Sequence, residues 1–100
     1  MTAKGYVVTD ARVHDAQTMV RYRELATAAV AQYGGRFLVR GGSIEVLEGN
    51  RAEPERLIIV EFDSVEQARC FYDSPEYQAA RKVREGAAEM NILLVSGVDN

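Results

Sequence analysis

Several residue types are scarce in this 100-residue chain, and each scarcity removes a class of explanation. Cysteine occurs once, at Cys70, so no disulfide can close within the chain and no cysteine-based metal cluster can form. Such usage suits a reducing cytosol. Residues 1–6 lack the apolar run of a secretory signal. Nowhere do roughly 18 apolar residues follow one another, as a membrane-spanning helix needs. The expectation is a soluble, cytoplasmic protein with no membrane partner. Basic blocks are missing too: ten arginines and two lysines are scattered among fifteen acids, for a net charge of −3. Nucleic acid is therefore not an expected partner, because phosphate neutralisation requires a basic face. His14 is the one histidine, and no His/Asp/Glu cluster of recognisable spacing surrounds it, so no metal site is predicted. Gly41-Gly42 is not a phosphate loop, since neither a helix start nor Gly-Lys-Ser/Thr follows it.

What is present is ordinary for a folded protein: 47% apolar and 27% charged residues, enough for one core and a single domain over residues 1–100. Tyr6, Val7, Val8 and Thr9 open as a strand, residues 10–14 read as a connection, and Asp15 is placed to cap a helix. Met19, Tyr22, Ala26, Ala29, Val30 and Tyr33 then recur at helical spacing, with Arg21, Arg23, Glu24 and Gln32 falling mostly on the other side. Gly34-Gly35 ends that helix. Residues 36–40 and 44–48 read as one strand interrupted at Gly41-Gly42, residues 49–54 as a turn, and residues 57–62 as the returning arm of a long hairpin. Ser64 and Gln67 form a capping box for a helix whose stripe is Val65, Ala68, Phe71 and Tyr72. Ser74-Pro75 breaks and restarts the helix, with Tyr77, Ala80 and Arg84 on one face, and residues 91–96 are the last strand.

The order strand, helix, strand, strand, broken helix, strand predicts an α+β ferredoxin-like βαββαβ fold, a four-stranded antiparallel sheet with its helices on one face. Such a sheet, if wet on its other face, alternates cleanly between apolar and polar residues. Here Ile58, Val60 and Phe62 serve the helix side while Leu57 and Ile59 fall beside Glu61 on the other. Ile92 and Leu94 likewise oppose Leu93 and Val95. An apolar outer face seeks cover, and a second copy across a two-fold axis is the expected partner, favoured over scattered exposed residues on a monomer.

Two stretches also look familiar. Tyr33-Gly34-Gly35-Arg36-Phe37-Leu38-Val39-Arg40-Gly41-Gly42 with Leu47-Glu48-Gly49 resembles the bacterial family known as domain of unknown function 1330. Ile59-Val60-Glu61-Phe62, followed by Ala68, Tyr72 and Ser74-Pro75-Glu76-Tyr77, resembles it as well. The resemblance implies a subunit of the dimeric α/β-barrel group, whose members pair their sheets. That group includes cofactor-free oxygenases, lactone isomerases and haem-using enzymes, but the family itself has no settled activity, and one fold carries unrelated chemistries. Where members of the family often carry an aromatic residue after Glu48-Gly49, this chain has Asn50 and Arg51.

For chemistry, the hairpin is expected to set Arg40 beside Glu61, either as a buried ion pair, the favoured reading, or as an anion clamp and a base. Tyr72, Tyr77 and Arg84 are candidates to line a cleft between helices and sheet, offering hydroxyls and a guanidinium to an oxygen-rich ligand. His14 is a candidate base by its ordinary pKa, although without a partner it reads better as a solvated loop residue. Cys70 falls opposite the helix stripe and is assigned no role. Three functions compete: a homodimeric binder of a small organic molecule, an oxygenase- or isomerase-like enzyme with no bound cofactor, and a structural dimer. A cavity lined by the candidate side chains separates the first two from the third.

Overall fold

The computed structural model describes residues 3–50 and 56–99. The elements are β1 (Gly5–Val13), α1 (Ala16–Gln32), β2 (Arg36–Arg40), β3 (Arg56–Phe62), α2 (Val65–Asp73), α3 (Pro75–Val83) and β4 (Ala88–Ser96). The four strands form one antiparallel sheet in the order β2-β3-β1-β4, with the helices against one face. This is the expected ferredoxin-like α+β arrangement, and its helix break lies at Ser74-Pro75. Among the described residues, no helix is long and apolar enough to cross a membrane.

Local chemistry explains the helix boundaries. Asp15 accepts from the Thr18 backbone N–H at 3.2 Å, and Ser64 accepts from that of Gln67 at 3.1 Å. Each carboxylate or hydroxyl satisfies a donor that the first helical turn leaves free. Ser74 does two jobs at the break. Its hydroxyl donates to the Phe71 carbonyl at 2.7 Å and accepts from the Tyr77 N–H at 3.1 Å, closing one helix and opening the next. Pro75 at the first helical position has no N–H to leave unsatisfied. The bend sets the Phe71 and Tyr77 rings 4.9 Å apart over the core, where Phe62 is fully buried among Val7, Val30, Val60, Ala68 and Ala80. Truncating Phe62 would leave a cavity costing about 3–5 kcal/mol.

Three boundaries depart from the sequence expectation. Residues 10–13 belong to β1 and are not a connection, because β4 begins at Ala88 and pairs with β1 along its whole length, Val13 opposite Ala88. The two strands also exchange a side-chain hydrogen bond, Asn91 Nδ2 donating to Asp10 Oδ1 at 2.9 Å. Residues 44–48 are not a strand. The Gly41 N–H still donates to the Leu57 carbonyl at 2.9 Å, but Gly41 takes φ +75°, and the chain then leaves the sheet. The hairpin arms are therefore short. Residues 51–54 of the expected turn lie outside the described residues.

The third departure is a bulge. Arg36 pairs with Glu61 and Phe37 with Val60, but Val39 pairs with Ile59 and Arg40 with Ile58, so Leu38 is the extra residue. Strand parity reverses across a bulge. Arg36 and Arg40, which simple alternation would place together, consequently emerge on opposite faces of the sheet.

Candidate functional site

Helix α1 packs on α3, and its Ala29 and Val30 join Val7, Val60 and Phe62 of the sheet in the core, leaving a gap beside them. The gap is a cavity of about 70 Å³, walled by Val7, Ala11 and Val13 of β1, Met19, Ala26 and Val30 of α1, Phe37, Ile58 and Val60. A single water needs roughly 10–15 Å³ on this measure, so the space holds several waters or the body of a small organic molecule. Its position follows from strand parity: the residues of β1 and β3 that alternate toward the helices are the ones that floor it.

Two phenols form one wall. Tyr22 of α1 and Tyr77 of α3 meet edge to face with ring centroids 6.3 Å apart, and their hydroxyl oxygens lie 2.8 Å from each other. Burial, together with the neighbouring Tyr77, drives the Tyr22 pKa far above the ordinary phenol value. The Tyr22 hydroxyl thus stays protonated, and the pair can offer an O–H to an incoming oxygen. The Arg84 guanidinium lies 5.6 Å from the Tyr22 ring centroid, beside both hydroxyls. Its Nε is buried with no hydrogen-bond partner among the described residues.

Three arginines line the cavity as well: Arg23 of α1, Arg40 of β2 and Arg56 of β3. Arg40 stacks over the Phe37 ring at 4.1 Å and donates through Nη2 to Thr27 Oγ1, bridging β2 to α1. Arg56 packs its guanidinium on the backbone of Gly41, where a Cβ would come within 2.5 Å of Nη2. At φ +75° a glycine is also the residue that fits without strain.

The five residues singled out from sequence are not gathered in one place. Arg40 and Tyr77 line the cavity. Arg84 touches it through Tyr22. Tyr72 is half-buried, its ring 5.4 Å from that of Tyr77, and it faces a second hollow of about 270 Å³ with Ala68, Arg69, Ile92 and Leu94. That hollow is the larger, but it sits at the edge strand, and its polar side chains are Arg69 and Tyr72 alone among the described residues. The α1 cavity is the better candidate on chemistry.

The expected Arg40–Glu61 pair does not form. Glu61 is on the outer face, where Arg36 donates to its Oε1 through Nη2 at 2.9 Å and Nε at 3.1 Å, and Tyr6 donates its hydroxyl to Oε2 at 3.0 Å. Arg36 Nη2 also reaches Asp63 at 3.1 Å, and Lys4 reaches Asp63 at 3.3 Å. The Arg36 hydrogen bond, then that of Tyr6, holds the Glu61 carboxyl below its ordinary pKa. The strand register is the reason: Arg36 lies opposite Glu61 while Arg40 lies opposite Ile58, further along β3, and the Leu38 bulge also turns Arg40 to the helix side of the sheet.

His14 is at the other end of β1, half-exposed, with Nε2 3.7 Å from Glu89 and no contact with the cavity. Cys70 is exposed. Among the described residues no carboxylate or imidazole lines the cavity.

Sequence reasoning placed Arg23 on the outer side of α1 and passed over Tyr22 and Arg56 as site residues. The signals were present. Met19, Arg23, Thr27 and Val30 recur at four, four and three residues, a helical line of their own. Arg56 continues the parity of Ile58, Val60 and Phe62.

A family model for a domain of unknown function, DUF1330, matches residues 4–98. No curated protein matches in sequence. Solved structures do match in fold. A protein of unknown function from Rhodopseudomonas palustris is 17% identical with a TM-score of 0.77, over 100% of this chain and 86% of its own. A dimeric ferredoxin-like protein of unknown function from Bacteroides fragilis is 15% identical at 0.62, over 93% and 95%. SnoaB, a cofactor-independent oxygenase from Streptomyces nogalater, is 13% identical at 0.64, over 99% and 97%. At these identities the likeness is one of fold.

Proposed function

Since this chain belongs to the DUF1330 family, for which no activity is defined, its function has to be argued from its own site, and we propose that it binds a small oxygen-bearing organic molecule in the cavity between α1 and the sheet. The observation that carries this reading is the meeting of apolar walls with the Tyr22–Tyr77 hydroxyl pair. Apolar walls take up the body of a ligand and a few placed polar groups orient it. A phenol O–H offers a hydrogen bond to a carbonyl, ether or carboxylate oxygen.

The same reading includes a homodimer. On the face away from the helices, Val8 lies between Ile59 and Leu93, and Tyr6 lies between Glu61 and Val95. Leu93 is 59% exposed and Leu38 54%. An apolar sheet face of this kind favours a second copy across a two-fold axis. The Bacteroides fragilis neighbour is described as dimeric.

An oxygenase is the second reading, suggested by the Streptomyces nogalater neighbour. Chemistry without a cofactor calls for a base that takes a proton from the bound substrate. The described cavity lining offers the Tyr22 phenol, held protonated, the Tyr77 phenol and guanidinium groups, and His14 and Glu61 lie elsewhere. Binding is therefore the better-supported function.

Benzyl alcohol and benzoate serve as probes. In amide-detected NMR titrations, shifts centred on Ala26, Tyr22 and Tyr77 are expected, and Ala26→Phe, which fills the cavity, should abolish them while the rest of the spectrum persists. The absence of shifts at millimolar probe, or shifts that survive Ala26→Phe, would overturn the pocket. Light scattering should give twice the 11.1 kDa chain mass, and Ile59→Asp should return it to the monomer value. A monomer mass for the parent protein would refute the dimer.

A further inference from the structure

The charge distribution around the cavity runs against that of the protein. The chain carries a net charge of −3, yet Arg23, Arg40 and Arg56, from three different elements, all line one small space. None of the three makes an ion pair with a carboxylate among the described residues. Arg40 is engaged by the Phe37 ring and a neutral threonine hydroxyl, and Arg56 rests on the Gly41 backbone. These contacts hold the guanidinium groups without neutralising them. Two arginines outside the cavity pair with carboxylates, Arg36 with Glu61 and Asp63 and Arg21 with Glu24. Three like charges with no carboxylate partner among the described residues, set beside apolar walls, repel one another and favour an anion. A guanidinium fork suits a planar carboxylate, which accepts two parallel N–H bonds from one such fork and keeps acceptor sites for neighbouring donors.

We infer that the cavity selects small organic monocarboxylates, the apolar body seated among Val7, Val30, Phe37 and Val60 and the carboxylate held by Arg23, Arg40 and Arg56. This inference rests on the pocket reading and specifies its ligand class. Geometry supports it twice. The Leu38 bulge is what turns Arg40 to this side of the sheet. The glycine at position 41 is what lets Arg56 lie where it does.

The test is a matched set of calorimetric or NMR titrations with benzoate against benzyl alcohol, and with hexanoate against 1-hexanol. Each acid is expected to bind at least about tenfold more tightly than its alcohol, with the difference shrinking as salt is raised. In Arg40→Gln and Arg56→Gln the acids should lose about tenfold each, while the alcohols keep their affinity, which also reports that the fold is intact. Equal binding of acid and alcohol, or an acid preference untouched by either variant, overturns the arginine clamp and leaves the pocket standing. Binding of neither member of a pair overturns the pocket, and the clamp with it.

Discussion

Removing one hydroxyl from the Tyr22–Tyr77 pair isolates a contact that the structure makes specific. The oxygens are 2.8 Å apart, a full-strength O–H···O distance, Tyr77 is 3% exposed, and burial holds the Tyr22 phenol protonated. One phenol donates and the other accepts, with the Arg84 guanidinium beside both. The variant that removes the acceptor leaves a buried O–H with no partner, at a cost of about 2 kcal/mol. The variant that removes the donor leaves an oxygen that Arg84 can still serve, at about 1 kcal/mol. With both hydroxyls gone no orphaned O–H remains, although Arg84 loses its two oxygen neighbours, so the double change should cost about 2 kcal/mol, less than the sum of the two single losses. Urea unfolding of the parent, Tyr22→Phe, Tyr77→Phe and the double variant, at one protein concentration, measures the cycle. The costlier single change identifies the acceptor. Losses additive to within about 0.3 kcal/mol would refute the reasoning, because the two phenols would then be energetically independent.

Two further outcomes follow from the outer face and the cavity rim. Arg36 and its neighbours lower the pKa of both Glu61 and Asp63 in the folded state, so their stabilisation is complete above the ordinary carboxylate range and is lost as pH falls through the lowered values. Urea midpoints measured from about pH 6 to about pH 3 should decline, and Glu61→Gln should flatten the decline; an unchanged slope would contradict the assignment. Gly41→Ala should destabilise by roughly 1–2 kcal/mol through its φ of +75°. The steric part is small, since the atoms in the way belong to the flexible end of Arg56, but that guanidinium must move. A variant as stable as the parent, with unaltered benzoate affinity, would show that the backbone at this position is not held there.

Elements whose signals are local were legible. Ser64 with Gln67, and Ser74 with Pro75, carry their capping chemistry within four residues, and the structure uses both pairs as caps. The alternation of Ile58, Val60 and Phe62 likewise states which side of β3 faces the core, because side chains on a strand have period two. The length of β1 was not legible. Asp10 and Arg12 look like loop residues until β4 supplies partners for them. Nor was the faltering of β2 after Arg40, where Ile44 and Val46 have a strand's composition but no strand's place.

The candidate site depended still more on tertiary context. Chain order alone brings Tyr77 inward, by its spacing from Ala80 and Arg84. It does not say that Tyr22 comes from another helix to meet it, since that contact spans 55 residues. Arg36 and Arg40 show the limit most clearly. By parity within β2 they share a face, and the residues between them contain no glycine or proline to announce a bulge. The bulge exists in the register with β3, and register is a property of two strands together. Composition and periodicity therefore determined a four-stranded sheet with an apolar outer face and a broken second helix. Which arginine meets Glu61 was decided by the register of β2 on β3, and the turn of Arg40 into the cavity by one unpaired residue, Leu38, because a single-residue shift reverses the facing of every side chain beyond it.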